Sequence, residues 1–206
     1  MFACARRRGL IGTALTASVD STGLESHHVS RHFLHRTGRL KRHRPWPKLT
    51  IVAENSTHLI ASLVVGLGPK NDSPDFLPAL DQAAARICIG RLLADGAYDA
   101  EAHHRHCREE LGIAKTIIPL NPRGHPDTVP KTPYRRAMKL HFPWRQYAQR
   151  WQIESAISRL KRRVGSALSA RTDITRQHDC QIHILTHNLM ILWLPPTSVS
   201  TEQRSV

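Results

Sequence analysis

The stretch from Pro143 to Val164 constrains the fold more than any other part of the chain. Proline in the first turn and Gly165 just past the end frame a long helix. At ~100° per residue, with Tyr147 at zero, Ile153, Ile157, Leu160 and Val164 fall on an arc from ~220° to ~280°. Arg150, Glu154 and Lys161 fall with Tyr147 on an adjoining arc about 60° wide. A helix of this kind buries its apolar stripe on a sheet while its polar stripe looks over the sheet edge. Arg159, Arg162 and Arg163 point elsewhere, towards solvent or phosphate. Ion pairing at i,i+4 accounts for Arg150 beside Glu154. It does not account for Tyr, Arg, Glu and Lys sharing one stripe along the border of an apolar one.

The charge around this helix is high. The chain of 206 residues carries 30 Lys and Arg against 16 Asp and Glu, a formal net charge of +14. That length suits one domain, and the hydrophobic fraction of 40% supports a real core. The charge comes in blocks. Residues 1–50 hold ten basic and two acidic side chains, residues 51–130 seven and ten, and residues 131–176 twelve and two. Arginine supplies 23 of the 30 cations, and its planar fork suits bidentate phosphate contact. A polyanion, nucleic acid above all, is the partner such a balance predicts. No apolar run reaches the ~18–20 residues of a membrane span. The four cysteines, Cys4, Cys88, Cys107 and Cys180, form no CxxC pair, so a disulfide framework is not indicated and a reducing compartment fits. Arg6-Arg7-Arg8 ahead of the small-residue stretch Gly9–Val19 has a twin-arginine flavour. The stretch is poor in Leu and Phe, and the reading preferred here is a buried strand.

Along the rest of the chain, Thr13–Asp20 reads as a strand ending in an acidic residue, and Gly23–Arg44 as a His- and Arg-rich loop. Lys48–Glu54 and His58–Leu67 read as a hairpin about Asn55-Ser56-Thr57, closed by Gly68-Pro69. Pro74–Ile89 has helical spacing, Arg91–Ala94 is a short strand running into Asp95-Gly96, and Ala100–Leu111 is helical. Lys115–Leu120 is a strand, Asn121–Pro133 a proline-rich loop, and His178–Leu194 a second long helix stopped by Pro195-Pro196. The order β-β-β-α-β-α-β-loop-α-α implies a mixed sheet covered by helices, as expected of a ribonuclease-H-like α/β fold. His103, His104, His106 and Cys107 raise the thought of zinc, as do His183 and His187 near Cys180. A polar helix face is the preferred reading of the first cluster, and the second lacks the glutamate of an HExxH site. His27 and His28 read either as loop or as channel lining.

Tyr147, Arg150, Glu154 and Lys161 have the spacing Y-(2)-R-(3)-E-(6)-K. In this the chain resembles DDE transposases of bacterial insertion sequences, the insertion-sequence-4-like family. Val19-Asp20-Ser21-Thr22-Gly23 is similar to that family's first-aspartate motif at the end of the first strand. Ala94-Asp95-Gly96-Ala97-Tyr98-Asp99 is similar to its second-aspartate motif, D-x-G-Y-D/S, with Gly and Ala shifted. Ile184–Met190 looks like the family's C-terminal helix. The resemblance implies a basic N-terminal segment at 1–12, a ribonuclease-H-like catalytic domain at 13–194 and a disordered tail at 195–206.

It further implies that Asp20, Asp95 and Glu154 hold Mg²⁺, with Mn²⁺ as a substitute, and carry out phosphodiester hydrolysis at transposon ends and strand transfer into target DNA. Asp99 is an alternative to Asp95. Tyr147, Arg150 and Lys161 would engage DNA near the cut, with Arg159, Arg162 and Arg163 as further DNA contacts. The implied partners are transposon-end and target DNA, with a homodimer on DNA and no membrane. The implied location is cytoplasmic and nucleoid-associated in a bacterium. Some family members cut through a hairpin, and no residue here specifies that route. Two departures stand out: only 19 residues precede Asp20, where relatives carry an N-terminal helical region, and the Asp95–Glu154 interval is short. They leave open a truncated, inactive remnant that only binds DNA.

Overall fold

The computed structural model describes residues 1–25, 36, 46–121, 129–170 and 172–193. The sheet is built around β1 (Leu15–Gly23). β1 pairs antiparallel with β2 (Trp46–Glu54), and β2 pairs antiparallel with β3 (Ile60–Gly68). On its other side β1 pairs parallel with β4 (Ile89–Leu93), which pairs parallel with β5 (Lys115–Ile117). The strand order is β3-β2-β1-β4-β5. A meander followed by two parallel strands, with helices covering the sheet, is the ribonuclease-H-like arrangement that the element order predicts.

Strand alternation sorts the core into two faces. Ala17, Val19, Val52 and Leu92 face α2 (Ser73–Ala84), where Phe76, Ala79, Leu80 and Ala83 are buried. Leu49, Ile51, Ala53 and Ile60 face the opposite way. They meet Ile153, Ala156 and Leu160 of α6 (Trp151–Val164) and Cys180 and Ile184 of α7 (Asp173–Trp193). The apolar stripe of the long helix therefore lies on the sheet, as its periodicity requires. The β3 edge is partly covered in the same way. The Asn188 amide on α7 accepts from Ile60 N–H at 2.9 Å and donates to Ile60 C=O at 2.8 Å, imitating a neighbouring strand.

Several elements depart from expectation. Phe2–Arg7 forms a short helix, α1. β1 runs on past Asp20 to Gly23, because Ser21, Thr22 and Gly23 pair with Thr50, Leu49 and Lys48. The expected helix 100–111 is α3 (Glu101–Arg105) followed by a wider π turn, His106–Glu110. Pro133–Leu140 is a helix, α4, with its proline in the first turn. The expected helix 143–164 is interrupted: α5 (Trp144–Tyr147) and α6 are joined by a 3₁₀ turn, Ala148–Arg150. The second long helix starts five residues early, at Asp173. Among the described residues no helix is long and apolar enough to cross a membrane. His27, His28, most of the 23–44 loop, residues 122–128 and the 195–206 tail lie outside the described residues.

Candidate active site

Asp20 and Asp95 are brought together by strand register. The parallel ladder pairs Ser18 with Leu93, and each aspartate stands two residues beyond its member of that pair. Partners in a parallel ladder point to the same face, and so do residues two apart. Both carboxylates therefore face the α6 side. Past Leu93 the chain leaves the sheet in a 3₁₀ turn, Gly96–Tyr98, while β1 continues along β2. The result is a crevice at the carboxyl end of two neighbouring parallel strands, the usual ligand site in open α/β sheets.

Each aspartate is steadied locally. Asp20 Oδ1 accepts from Ser21 N–H at 2.8 Å. Asp95 caps its 3₁₀ turn, its Oδ1 accepting from Ala97 N–H at 2.8 Å. The junction between α5 and α6 is pinned over the same crevice. Ser18 Oγ donates to Asn55 Oδ1 at 2.8 Å, and Asn55 Nδ2 donates to Gln149 C=O at 3.2 Å. His58 Nε2 meets Gln152 Oε1 at 2.7 Å. These contacts, with Ile153 and Ala156 packed below, aim the first turn of α6 and its Glu154 at the aspartates.

Two of the three carboxylates share one cation. The Arg150 guanidinium bridges Asp20 Oδ2 (3.5 Å, Nη1) and Glu154 Oε1 (2.7 Å, Nη2). Arg150 Nη1 is buried and makes no hydrogen bond, so it is held by charge alone. Burial raises the Asp20 carboxyl above its ordinary pKa, the Ser21 amide and Arg150 pull it down, and Asp95 and Glu154 push it up again. Tyr147 is drawn into the same field. Burial raises its phenol, Arg150 lowers it by charge and by a hydrogen bond, and Asp95 and Asp20 raise it. The 3₁₀ turn matters here, because side chains three apart eclipse in that geometry and Tyr147 comes to lie over Arg150. Next to Tyr147 stand Phe142 (ring centroids 5.1 Å apart) and the exposed Trp144 (6.4 Å).

Other expected residues fall at varied distances from this centre. Lys161 is on Glu154's face of α6, about two turns further on. Arg159 lies ~140° round from Glu154, and its Nη1 reaches Thr57 C=O of the β2–β3 turn at 3.4 Å. Arg162 is exposed. Arg163, also exposed, lines a cavity of about 830 Å³ with Cys4, Arg8, Leu189 and Trp193, near α1 and the end of α7.

Asp99 has different surroundings from Asp95. It is 1% exposed, Arg135 binds both its oxygens (2.9, 3.1 and 2.8 Å), and Asn121 N–H donates to it at 2.9 Å. The histidines disperse. His103 Nδ1 meets Tyr98 C=O and stacks on Phe76, His104 Nδ1 meets Thr116 Oγ1, and His106 pairs with Asp81 and Glu110. Cys107 is buried in the core, its thiol pushed up to about 12 by burial. His183 meets Asp179 C=O, and His187 meets His58 C=O.

As placed, no group of three or more His, Cys, Asp or Glu side chains among the described residues could hold a metal ion. The donors nevertheless suit a hard cation. Asp20, Asp95 and Glu154 offer only carboxylate oxygens, and the charge that now joins two of them is a guanidinium. Sequence reasoning missed Ser18, Asn55 and Gln149, which pin the crevice, as well as Ser21 and Tyr98, whose hydroxyls meet at 2.9 Å. A polar residue directly after a strand-borne aspartate was the available signal for Ser21.

No curated protein sequence matches the chain. Among solved structures it is similar to the catalytic core domain of BIV integrase in crystal form I, at 16% identity and a TM-score of 0.41, over 95% of this chain and 88% of that one. The sequence matches the family described as "Transposase DDE domain" over residues 12–189. The chain that folds into this crevice of two strand-borne aspartates and a helix glutamate belongs to the DDE transposase family.

Proposed function

We propose that this protein is a DNA transposase of the insertion-sequence-4-like type, in which Asp20, Asp95 and Glu154 form a Mg²⁺-dependent phosphodiester-cutting centre. DDE transposases generally use divalent metal ions, and their substrate is DNA. The observation that carries the reading is geometric: strand register sets Asp20 and Asp95 on one sheet face and Arg150 joins Asp20 to Glu154, although the three are far apart in sequence. Two carboxylates bridged by one arginine, with a third on the same sheet face, is an arrangement that folding alone does not favour. When bound, a pair of divalent ions would stabilise the attacking and leaving oxygens of an in-line displacement.

The chain's own groups supply the rest. The three carboxylates fix the place of cutting. Arg150 exchanges its carboxylate partners for a DNA phosphate, which a guanidinium can hold bidentately. Tyr147, beside Phe142 and the exposed Trp144, offers a ring face to a base near the cut. Lys161, on Glu154's face, takes a phosphate further along the strand. Arg162 and Arg163 extend the electrostatic footprint. Arg159, tied to Thr57, contributes through the field more than through contact. Cleavage of two paired ends makes a homodimer on DNA the working assembly.

The test uses the full chain and labelled duplexes carrying insertion-sequence ends. The wild type nicks or joins them with Mg²⁺ or Mn²⁺, and Glu154→Gln binds them but does not. Equal binding with no cutting by either protein would replace this reading with a DNA-binding remnant. Binding that ignores salt from about 50 to 200 mM would contradict both, because phosphate contacts release counterions.

A further inference from the structure

The two aspartates of the proposed centre sit on separate segments, and the backbone ladder between those segments ends at Ser18–Leu93, short of both. A second link lies on the opposite face of the sheet. Ser21, directly after Asp20, turns its hydroxyl the other way along the strand. Its Oγ lies 2.9 Å from Tyr98 Oη and 2.8 Å from Thr50 Oγ1.

Each end of this link is tied to a carboxylate. Ser21 N–H donates to Asp20 Oδ1 at 2.8 Å. Tyr98 N–H donates to Asp95 C=O at 3.1 Å, within the turn that Asp95 caps. The Tyr98 ring is 1% exposed and packs on Phe76 of α2, with centroids 5.1 Å apart. Thr50 is Ser21's partner across the β1–β2 ladder, and its hydroxyl reaches Asp75 Oδ2 at 3.4 Å. Asp75 in turn is held by the buried Lys48 at 2.8 Å. The hydroxyl pair is thus anchored to α2 and β2 and does not drift with the crevice.

We propose that Ser21 and Tyr98 are positioning residues, whose hydroxyl–hydroxyl bond ties the strand carrying Asp20 to the turn carrying Asp95 and so sets the spacing of those carboxylates for a divalent cation. The inference rests on the carboxylate reading above. It adds two residues on the far face of the sheet that touch neither metal nor DNA.

The experiment is a Mn²⁺ titration of the full chain, followed by the spin-resonance signal of free Mn²⁺, with melting temperature measured alongside. Tyr98→Phe keeps the ring and removes only the hydroxyl, and Ser21→Ala removes the other half of the bond. Both weaken Mn²⁺ binding about 10- to 100-fold, the range found for groups that orient metal ligands. Ser21→Thr keeps a hydroxyl, suits a strand, and restores affinity to within about threefold of wild type. Hydroxyl-deleted variants that are folded and bind Mn²⁺ within about twofold of wild type would overturn the proposal. Ser21→Thr as impaired as Ser21→Ala would overturn it too, since bulk and not the hydrogen bond would then matter. Should Tyr98→Phe fail to fold, the Ser21 pair decides alone. A wild type whose Mn²⁺ binding is absent, or is unchanged in Asp20→Asn, would overturn the carboxylate reading and the positioning role with it.

Discussion

Asp95 and Asp99 flank the same 3₁₀ turn, yet their surroundings are opposite in kind. Asp99 is buried, bound by Arg135 through three contacts and by the Asn121 amide, with acid and base matched one to one. Asp95 is half-buried and opens on the crevice where Arg150 joins Asp20 to Glu154. There one Arg150 contact is a 3.5 Å ion pair, and that guanidinium nitrogen has no hydrogen bond. The first cluster is complete and holds the turn to α4. The second sets three carboxylates beside one arginine, which pairs with two of them. Burial and the degree of electrostatic satisfaction both separate the two aspartates of this turn.

Substituting one aspartate at a time separates the two clusters most visibly. Asp95→Asn folds like wild type and loses cutting by at least about 10³-fold in a nicking assay. Asp99→Asn does the reverse. It leaves Arg135 without its counter-charge and destabilises the fold by roughly 3 kcal/mol, read from denaturant unfolding. Its cutting per folded molecule stays within about threefold of wild type. If Asp99→Asn abolished cutting at full stability, the two roles would be exchanged.

The completed side also has a pH signature. His104, buried against Thr116 and stacked on Tyr134, has its pKa lowered to about 4, mainly by burial. Between about pH 6.5 and 4 the unfolded chain therefore binds a proton that the folded one refuses, and stability falls as the pH is lowered through that window. The loss is on the order of 3 kcal/mol. His104→Gln should flatten the low-pH limb of a stability–pH curve, and an unchanged limb would assign the effect elsewhere.

The smallest effect belongs to Arg150. Arg150→Gln costs about 1 kcal/mol of stability or less, since Glu154 is largely exposed and the Asp20 contact is long. It removes a competitor from the carboxylates, so Mn²⁺ binds a few-fold tighter by titration, about 0.5–1 kcal/mol. It also weakens DNA binding and lowers the salt dependence by about one phosphate contact. A loss of Mn²⁺ affinity would make Arg150 a support of the site and not an occupant of the cation's place.

Much of this was legible in the sequence, and the rest was hidden for identifiable reasons. The candidate carboxylates Asp20, Asp95 and Glu154 came from their motifs, and the apolar stripe of α6 from its periodicity. The order of elements along the chain followed from hydrophobic runs and turn residues. The extension of β1 to Gly23 was not legible, because Asp-Ser-Thr-Gly looks like a turn until β2 supplies a partner for it. Helix α4 was missed for a related reason: it is short and buries no residue, so no core face marks it in the sequence. Polar contacts hold it, with the Glu101 carboxylate accepting from Tyr134 N–H and Arg135 N–H and Arg135 gripping Asp99. Periodicity is blind to such contacts. The break at 148–150 was equally hidden, since the residues there are ordinary helix formers and the turn follows from Asn55 holding Gln149. The shared register that aligns Asp20 with Asp95 is a property of strand pairing and has no local signature.

In the proposed centre, Asp20, Asp95 and Glu154 surround one place for a divalent cation. Fe²⁺ substituted for Mg²⁺, with ascorbate and peroxide, cuts a polypeptide backbone next to where the metal is bound. The account predicts fragments ending near residues 20, 95 and 154, suppressed by excess Mg²⁺ and absent in Asp20→Asn. Cuts confined to the His103–Cys107 helix, or a pattern unchanged in Asp20→Asn, would contradict it.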